Sequence, residues 1–301
     1  MDGAALRHIA EEALGGIAEA DLLNFYLCMD TAAAGFVRET KQLTEEVPIS
    51  SVEGKQHYPL PPDFVSLYVR SSGNQPVFYI KYATAAATRF PVLVDYDRIF
   101  GANLSEARET PTCFAIRDFQ DDQNRIEGQA SAIGEAAGGE SVLTADGQSF
   151  LSTVNVRDIV HNVTDGSVGR VLAVTDDTHL KTALFAGTAN AWAVNDNFII
   201  IPGRKKQITL EAPSKTAGHT MTVPYLRMPS PVYSDYGFWA FEERSCRAIV
   251  MEACFLWKID YDSDPRRDAA LHALFVDEIN RVRRELARTR LQSCGNHRTV
   301  Y

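Results

Sequence analysis

Asp158-Ile-Val-His-Asn-Val-Thr-Asp-Gly-Ser-Val-Gly-Arg-Val-Leu-Ala-Val-Thr-Asp-Asp-Thr-His-Leu180, continued by Gly187-Thr-Ala-Asn-Ala-Trp-Ala-Val-Asn-Asp-Asn-Phe-Ile-Ile-Ile-Pro202, alternates β-branched runs with Asp-Gly, Asp-Asp and Asn-Asp turns. Period-two runs bounded by such dipeptides are the pattern of antiparallel strands. The best strands fall at 159–163, 168–174, 180–184 and 198–201. Upstream, the composition turns small and polar after Asp118; 130–139 is rich in Ala and Gly, and 141–150 carries another Asp-Gly turn. An antiparallel β domain, sandwich- or barrel-like, is therefore expected at 119–204.

The flanks follow a different period. Leu22, Leu23, Phe25, Tyr26, Met29, Ala33, Phe36 and Val37 recur at helical spacing within a helical stretch of about 2–43. Gly15-Gly16 separates a short first helix from this long one, with Asp21 near the second start. Strands are expected at 44–50, 64–70, 77–82 and 112–117, with Pro59, Pro61 and Pro62 in an extended connection and a short helix at 96–100. Past the β domain, 207–210 and 220–227 read as a hairpin returning to the scaffold sheet, stopped by Pro229-Ser-Pro231. Residues 238–259 carry Trp239, Phe241, Ile249, Val250, Met251, Phe255, Leu256 and Trp257, the pattern of a buried helix. Asp264-Pro265 is a cap and first-turn pair for a last helix to about 290. Its apolar face holds Leu271, Leu274, Phe275, Ile279, Val282 and Leu286. Arg281, Arg283, Arg284, Arg288 and Arg290 crowd its end, complementing the helix dipole.

The class is thus α+β. One helical scaffold, 1–118 and 205–301, combines a long N-terminal helix and two C-terminal helices in a bundle with a small antiparallel sheet. The β domain is inserted into it. Phe25, Phe36, Trp239, Phe255, Trp257 and Phe275 are the candidate scaffold core.

Composition fits such a globular protein. The 301 residues are 45% apolar and 23% charged, which leaves enough apolar surface for two cores. No run approaches the roughly 20 apolar residues of a membrane span. The N-terminus lacks the basic and apolar regions of a secretory signal, so synthesis in a cytoplasm is expected. A net charge of −9 leaves no global basic footprint for nucleic acid. Cys28, Cys113, Cys246, Cys254 and Cys294 form no CxxC pair and no zinc spacing, which fits a reducing compartment.

Chemistry-bearing patterns are sparse. Asp260-Tyr-Asp262-Ser-Asp264 imitates the start of a calcium loop, but Pro265 and Leu271 stand where an EF-hand needs Gly and Glu. It reads as a helix connector, and Asp121-Asp122 as a solvated turn. His8, His57, His161, His179, His219, His272 and His297 form no metal motif, although His161 and His179 are able to approach across strands. No nucleophile elbow, Walker loop or dinucleotide fingerprint occurs; Gly166-Ser-Val-Gly169 is read as turn glycines. Asn103-Leu-Ser105 and Asn162-Val-Thr164 match the glycosylation pattern without the compartment for it. No metal, cofactor or catalytic residue is expected. The arginine cluster has two readings, a solvated helix face or a docking surface for an acidic partner.

Three blocks carry a family resemblance. They are the Leu22-Leu-Asn-Phe-Tyr26…Phe36-Val-Arg-Glu-Thr40 helix, Gly54-Lys-Gln-His-Tyr-Pro-Leu-Pro-Pro-Asp-Phe64, and Thr220-Met-Thr-Val-Pro-Tyr-Leu-Arg-Met-Pro-Ser-Pro231, followed by an aromatic helix and an amphipathic one. In this order they resemble the head–tail adaptor (connector) proteins of tailed bacteriophages, over about 1–118 and 205–291. The insertion resembles β modules of phage connector, collar and tail proteins, and compact adaptors lack it.

The resemblance implies a structural virion protein and no enzyme: a homo-oligomeric ring, twelve copies, beneath the portal protein. Such a ring extends the DNA channel and gives tail nozzle or terminator proteins a platform. DNA would pass without sequence-specific binding, and no membrane is involved. Carried onto this chain, Arg284, Arg288, Arg290, His297 and Tyr301 become candidate portal contacts. The acidic balance would line the channel with charge that repels phosphate. Two other readings stand beside it. One is a tail or collar protein whose β domain binds host glycan or carries a receptor-binding fibre. The other is a hydrolase, which needs two carboxylates roughly 5–10 Å apart in a cleft; no pair nominates itself.

Overall fold

The computed structural model describes residues 1–68, 70–72, 75–77, 80–100, 106–119, 125–203, 205–261 and 265–295. Helix α1 (Gly3–Leu14) starts at Asp2, whose Oδ1 accepts the Ala5 N–H at 2.9 Å, and stops at Gly15, whose φ of 77° sends the chain out of the helix. Helix α2 (Leu22–Thr40) is entered through a 3-10 turn at Glu19–Asp21. Asp21 is already helical and caps nothing with its side chain, because that turn has taken over the start.

Period-two sequence then gives β1 (Thr44–Ser50), β2 (His57–Pro59), β3 (Phe64–Leu67), β4 (Arg70–Ser72), β5 (Gln75–Val77), β6 (Lys81–Ala83), β7 (Thr88–Arg89) and β8 (Val92–Leu93). The short helix α3 (Tyr96–Phe100) and β9 (Cys113–Phe119) follow. The single strand expected at 77–82 is split between β5 and β6, and part of it lies outside the described residues. So do Asn103-Leu-Ser105 and Asp121-Asp122. The next region holds β10 (Ile126–Gln129), β11 (Ser141–Thr144), α4 (Phe150–Thr153), β12 (Ile159–Asn162), β13 (Ser167–Val174), β14 (His179–Phe185) and β15 (Asn197–Ile201). The chain closes with β16 (Lys205–Leu210), β17 (Thr220–Arg227), α5 (Glu243–Tyr261) and α6 (Pro265–Gly295). The fold is mixed α+β, about 31% helix and 32% strand, and the strands pair antiparallel apart from β8 with β9.

Residues 126–201 form one six-stranded sheet, ordered β10-β15-β12-β13-β14-β11. Its apolar face encloses Leu143, Phe150, Val160, Val171, Leu180, Trp192, Phe198 and Ile200. The sheet curls: the Ser131 N–H, just past β10 at one edge, donates to the Thr144 carbonyl of β11 at the other, at 2.7 Å. Two buried polar pairs lie inside it, Trp192 Nε1 donating to Thr182 Oγ1 and Asn162 Nδ2 to Asp196 Oδ2. Of the two glycines read as turn residues, Gly166 is one, at φ 78°. Gly169 is not: it lies within β13, where a side chain would strike the backbone of β14.

Asp165 fastens the 188–190 loop by accepting the N–H groups of Thr188, Ala189 and Asn190 at 2.8–3.1 Å. Partial burial pushes its carboxyl up, but the backbone donors outweigh this and hold it below the ordinary aspartate value. This bonding therefore stabilises the fold fully above pH about 4, the unfolded value, and is lost as pH falls through the lower folded value. Asp165→Asn replaces an accepting oxygen by a donor facing an N–H and should cost roughly 1–3 kcal/mol. The check is denaturant unfolding at a series of pH values, whose midpoint should fall less steeply in the variant as pH drops below about 4.

The scaffold strands make two main sheets and a separate two-stranded ribbon of β4 and β5, where one small sheet was expected. β17 is central to the first, flanked by β1, β3 and β6, with β7 beyond; β16 sits between β2 and β9 in the second, with β8 outside. The hairpin expected from 207–210 and 220–227 is absent, since β16 and β17 belong to different sheets. The connection explains this. Glu211 is held by Arg108, Thr112 and Cys113, Ser214 bonds Tyr58, and His219 N–H donates to Ser51, so long-range bonds pull the chain apart before it can turn back. The sheets share a core of Tyr58, Ile80, Tyr82, Phe114, Ile208, Leu210, Met221 and Val223. The quoted Gly54–Phe64 stretch is a crosslink between them: the Tyr58 hydroxyl reaches Val52, Lys55 and Ser214, and Asp63 accepts from Tyr225.

Helix α5 packs against α1, α2 and α6. It begins at Glu243, later than the expected 238. Trp239 enters the core from an extended segment, its N–H donating to the Met1 carbonyl and its own carbonyl accepting from the Met1 ammonium. Phe25, Phe36, Trp239 and Phe275 are buried, whereas Phe255 and Trp257 are only half-buried because α5 turns them toward its rim. On α6, Phe275, Ile279 and Val282 face the core while Leu274 is exposed, a quarter-turn away. Glu278 joins these two helices. Burial pushes its carboxyl up, but bonds from Arg281 and Ser245 and the charge of Arg244 hold it below the usual range. No helix among the described residues is long and apolar enough to cross a membrane.

Candidate functional site

Two features stand apart from ordinary packing: the junction between the six-stranded sheet and the scaffold, and the outer end of α6. The chain leaves β9 at Phe119 and re-enters β16 at Lys205, which are register partners, so both passages lie together at one end of a ladder. The sheet then folds back on the helices, where Ala183, Phe185 and Leu172 join the core of α1, α2 and α5.

A charged cluster locks this contact. Arg157 Nε donates to Asp30 Oδ2 at 3.1 Å and its Nη2 to the Pro229 carbonyl at 2.6 Å; the Tyr233 hydroxyl donates to the same Asp30 oxygen at 2.5 Å. Asp30 and Arg157 side chains are each 16% exposed. Burial, then the charge of Asp30 and its hydrogen bond, push the Tyr233 hydroxyl well above its ordinary value, so it stays a donor. Arg157 stands at φ 74°, a left-handed conformation costing about 1–2 kcal/mol in a non-glycine residue. Its N–H bonds Val171 and its carbonyl takes Arg170 Nη1, which holds the backbone there.

Beside the cluster opens a cleft of about 700 Å³, bordered by both units. From the scaffold come Asp63, Arg227 and the 229–238 segment; from the sheet come Glu140, Arg157 and Lys181. Tyr236 and Phe238 remain 65% and 57% exposed at its edge. The segment bearing them is firmly built, because Ser234 Oγ donates to Glu140 and the Asp235 N–H to the Gly138 carbonyl. Nothing local in the sequence marks this site. Asp30, Arg157 and Tyr233 are far apart in the chain, and the nearest signal is the aromatic pair around Gly237.

The residues singled out from sequence are dispersed. Helix α6 extends to Gly295, so the arginines do not occupy its last turn as expected. Arg281 is bound to Glu278, Glu242 and Glu285, and Arg283 to Glu39. Arg284 and Arg288 are exposed on the outer face. Arg290 lies in the same helix, its side chain outside the described residues, as are His297, Tyr301 and the 262–264 part of the imitation calcium loop. His161 and His179 do not meet: they lie on β12 and β14 with β13 between, and His179 Nδ1 bonds Asp176. Cys113 is pushed up to about 11 by burial and by Glu211, which makes it a hydrogen-bond donor and no thiolate at neutral pH. Cys246 and Cys254 are buried within α5, where burial also raises both thiols. No group of three or more His, Cys, Asp or Glu able to hold a metal occurs among the described residues.

Comparison of the chain with protein-family models finds no match, and comparison with curated proteins finds none either.

Proposed function

We propose that this chain is a structural virion protein of a tailed phage, a non-enzymatic head-to-tail adaptor that forms a ring beneath the portal. The observation that carries this reading is the outer end of α6. The helix has 31 residues, about 46 Å at 1.5 Å per residue, and packs on the core only as far as Leu286 among its described side chains. From Arg281 to Tyr301 the sequence has six arginines and one glutamate, in a chain of net charge −9. Arg284 and Arg288, exposed on the outer face of a rigid helix at the limit of its core packing, suit docking against an acidic partner, here the portal. In this reading the long helices are a bundle that holds the lateral interfaces, and the curled sheet is a barrel-like insertion that forms an outward collar or a contact between subunits. Tail proteins dock below, and acidic lumen walls let DNA slide.

Electron-microscopic classification of the purified protein with the portal of the same phage tests the proposal. Twelve-fold rings stacked on the portal are expected. Arg284→Glu combined with Arg288→Glu should leave the rings intact and abolish stacking, because two charges per subunit are reversed around the whole ring. A monomer that ignores the portal would refute the reading, and a lumen lined mainly by Lys and Arg would refute the sliding surface.

A further inference from the structure

The junction cleft is independent of the α6 surface, and its chemistry is specific. Tyr236 is exposed, yet its ring is backed by the main chain of Gly138: a Cβ at that glycine would lie 2.5 Å from the Tyr236 Cε2. Gly138, at φ 57°, thus permits an aromatic ring to be seated against backbone with the rest of its surface in solvent. The ring is thereby held with one flat apolar face toward solvent and its hydroxyl free to hydrogen-bond a ligand. Phe238 supplies a second ring on the same rim.

Each carboxylate of the cleft holds one neutral donor, Glu140 the Ser234 hydroxyl at 2.7 Å and Asp63 the Tyr225 hydroxyl, and keeps acceptor sites for sugar hydroxyls. The cations are less engaged. Lys181 approaches Glu140 only at 3.5 Å, and Arg227 gives one nitrogen to Glu45 at 3.3 Å, both from exposed side chains. Three ammonium protons and five guanidinium protons exceed what those contacts consume. The cleft therefore offers spare cationic donors, aromatic platforms, and a volume within the range of small-ligand sites.

We propose that this cleft binds an acidic saccharide, a short uronic-acid-containing glycan, with a sugar ring on Tyr236 and the carboxylate on Lys181 and Arg227. The apolar C–H face of a pyranose matches an exposed aromatic ring, its hydroxyls match a rim with donors and acceptors of both signs, and only an anion uses the surplus positive donors. The site goes beyond the adaptor reading, since binding here needs neither ring nor portal.

Titration of the full chain with a galacturonic-acid trisaccharide, followed by NMR of the tyrosine rings and by calorimetry, tests it. The matched neutral galactose trisaccharide and a Glu-rich hexapeptide serve as comparison probes. The acidic sugar should shift the Tyr236 resonances and bind at least about tenfold more tightly than the neutral one, and added salt should narrow that gap. Tyr236→Ala should weaken binding of both sugars about tenfold. Lys181→Gln should weaken only the acidic sugar. Both side chains are exposed, so a far-ultraviolet circular dichroism spectrum and a thermal unfolding midpoint matching the parent's are expected for each variant. No Tyr236 shift with either sugar, equal affinity for the two, or tighter binding of the hexapeptide would each overturn the assignment.

Discussion

Asp30→Ala should lower the free energy of unfolding by about 3 kcal/mol, at the lower end of the range for breaking a buried ion pair. The expected loss has three parts. Arg157 keeps its charge at a site where it is 16% exposed, so water replaces the carboxylate only in part. The Tyr233 hydroxyl loses its acceptor inside a protein interior. Arg157 also loses the partner that helps hold its left-handed backbone, whose strain then opposes folding. Chemical denaturation followed by tryptophan fluorescence measures the change, with Trp192 reporting from the six-stranded sheet and Trp239 and Trp257 from the helical part. Replacing both partners, Asp30→Ala with Arg157→Leu, should recover part of the loss, because no charge is left stranded. A single-variant loss below about 0.5 kcal/mol would mean that the apolar contact of Phe185 and Leu172 holds the junction without the ion pair.

That junction also marks where sequence reasoning stops. The strands of the 158–202 stretch were legible because their signals are local: Asp165-Gly166 and Asn195-Asp196 are turns, and the runs between them alternate. The helix boundary at Gly15 was legible for the same reason. The separation of β16 from β17 was not, because it is decided by Glu211, Ser214 and His219 finding partners far along the chain. Two strands near in sequence look like a hairpin until such bonds are known. Trp239 misled in a related way: its apolar character placed it in the core, but only the pairing with Met1 shows that it arrives from an extended segment. The cleft residues fared worst. Tyr236, Lys181 and Arg227 carry no motif, and an exposed aromatic ring has the same letter as a buried one. What distinguishes Tyr236 is Gly138 behind it, a contact across almost a hundred residues.

Gly169→Val should have the largest effect of any single substitution considered, a loss above about 3 kcal/mol with the 126–201 sheet disrupted. Gly169 is paired opposite Leu184 in the β13–β14 ladder, and a Cβ there would stand 1.7 Å from the Ala183 carbonyl oxygen. Contact with that oxygen requires about 3.3 Å, so the strands would have to part by more than an ångström, and the obstacle is main chain, with no rotamer to move aside. Even Gly169→Ala meets the same atom. Parting β13 from β14 breaks ladder bonds at the centre of the sheet and withdraws Val171, Leu180 and Leu184 from its core. The damage cannot stay local, because β14 also sends Ala183 and Phe185 into the helical core and Arg170 and Val171 of β13 hold the backbone of Arg157. Hydrogen exchange should therefore show protection lost across 159–185 and weakened in α2, while Ile208, Leu210 and Val223, in the separate core of the two scaffold sheets, retain theirs. Unchanged exchange in β13 and β14 of the Gly169→Ala variant would rule out this close approach and the register that produces it.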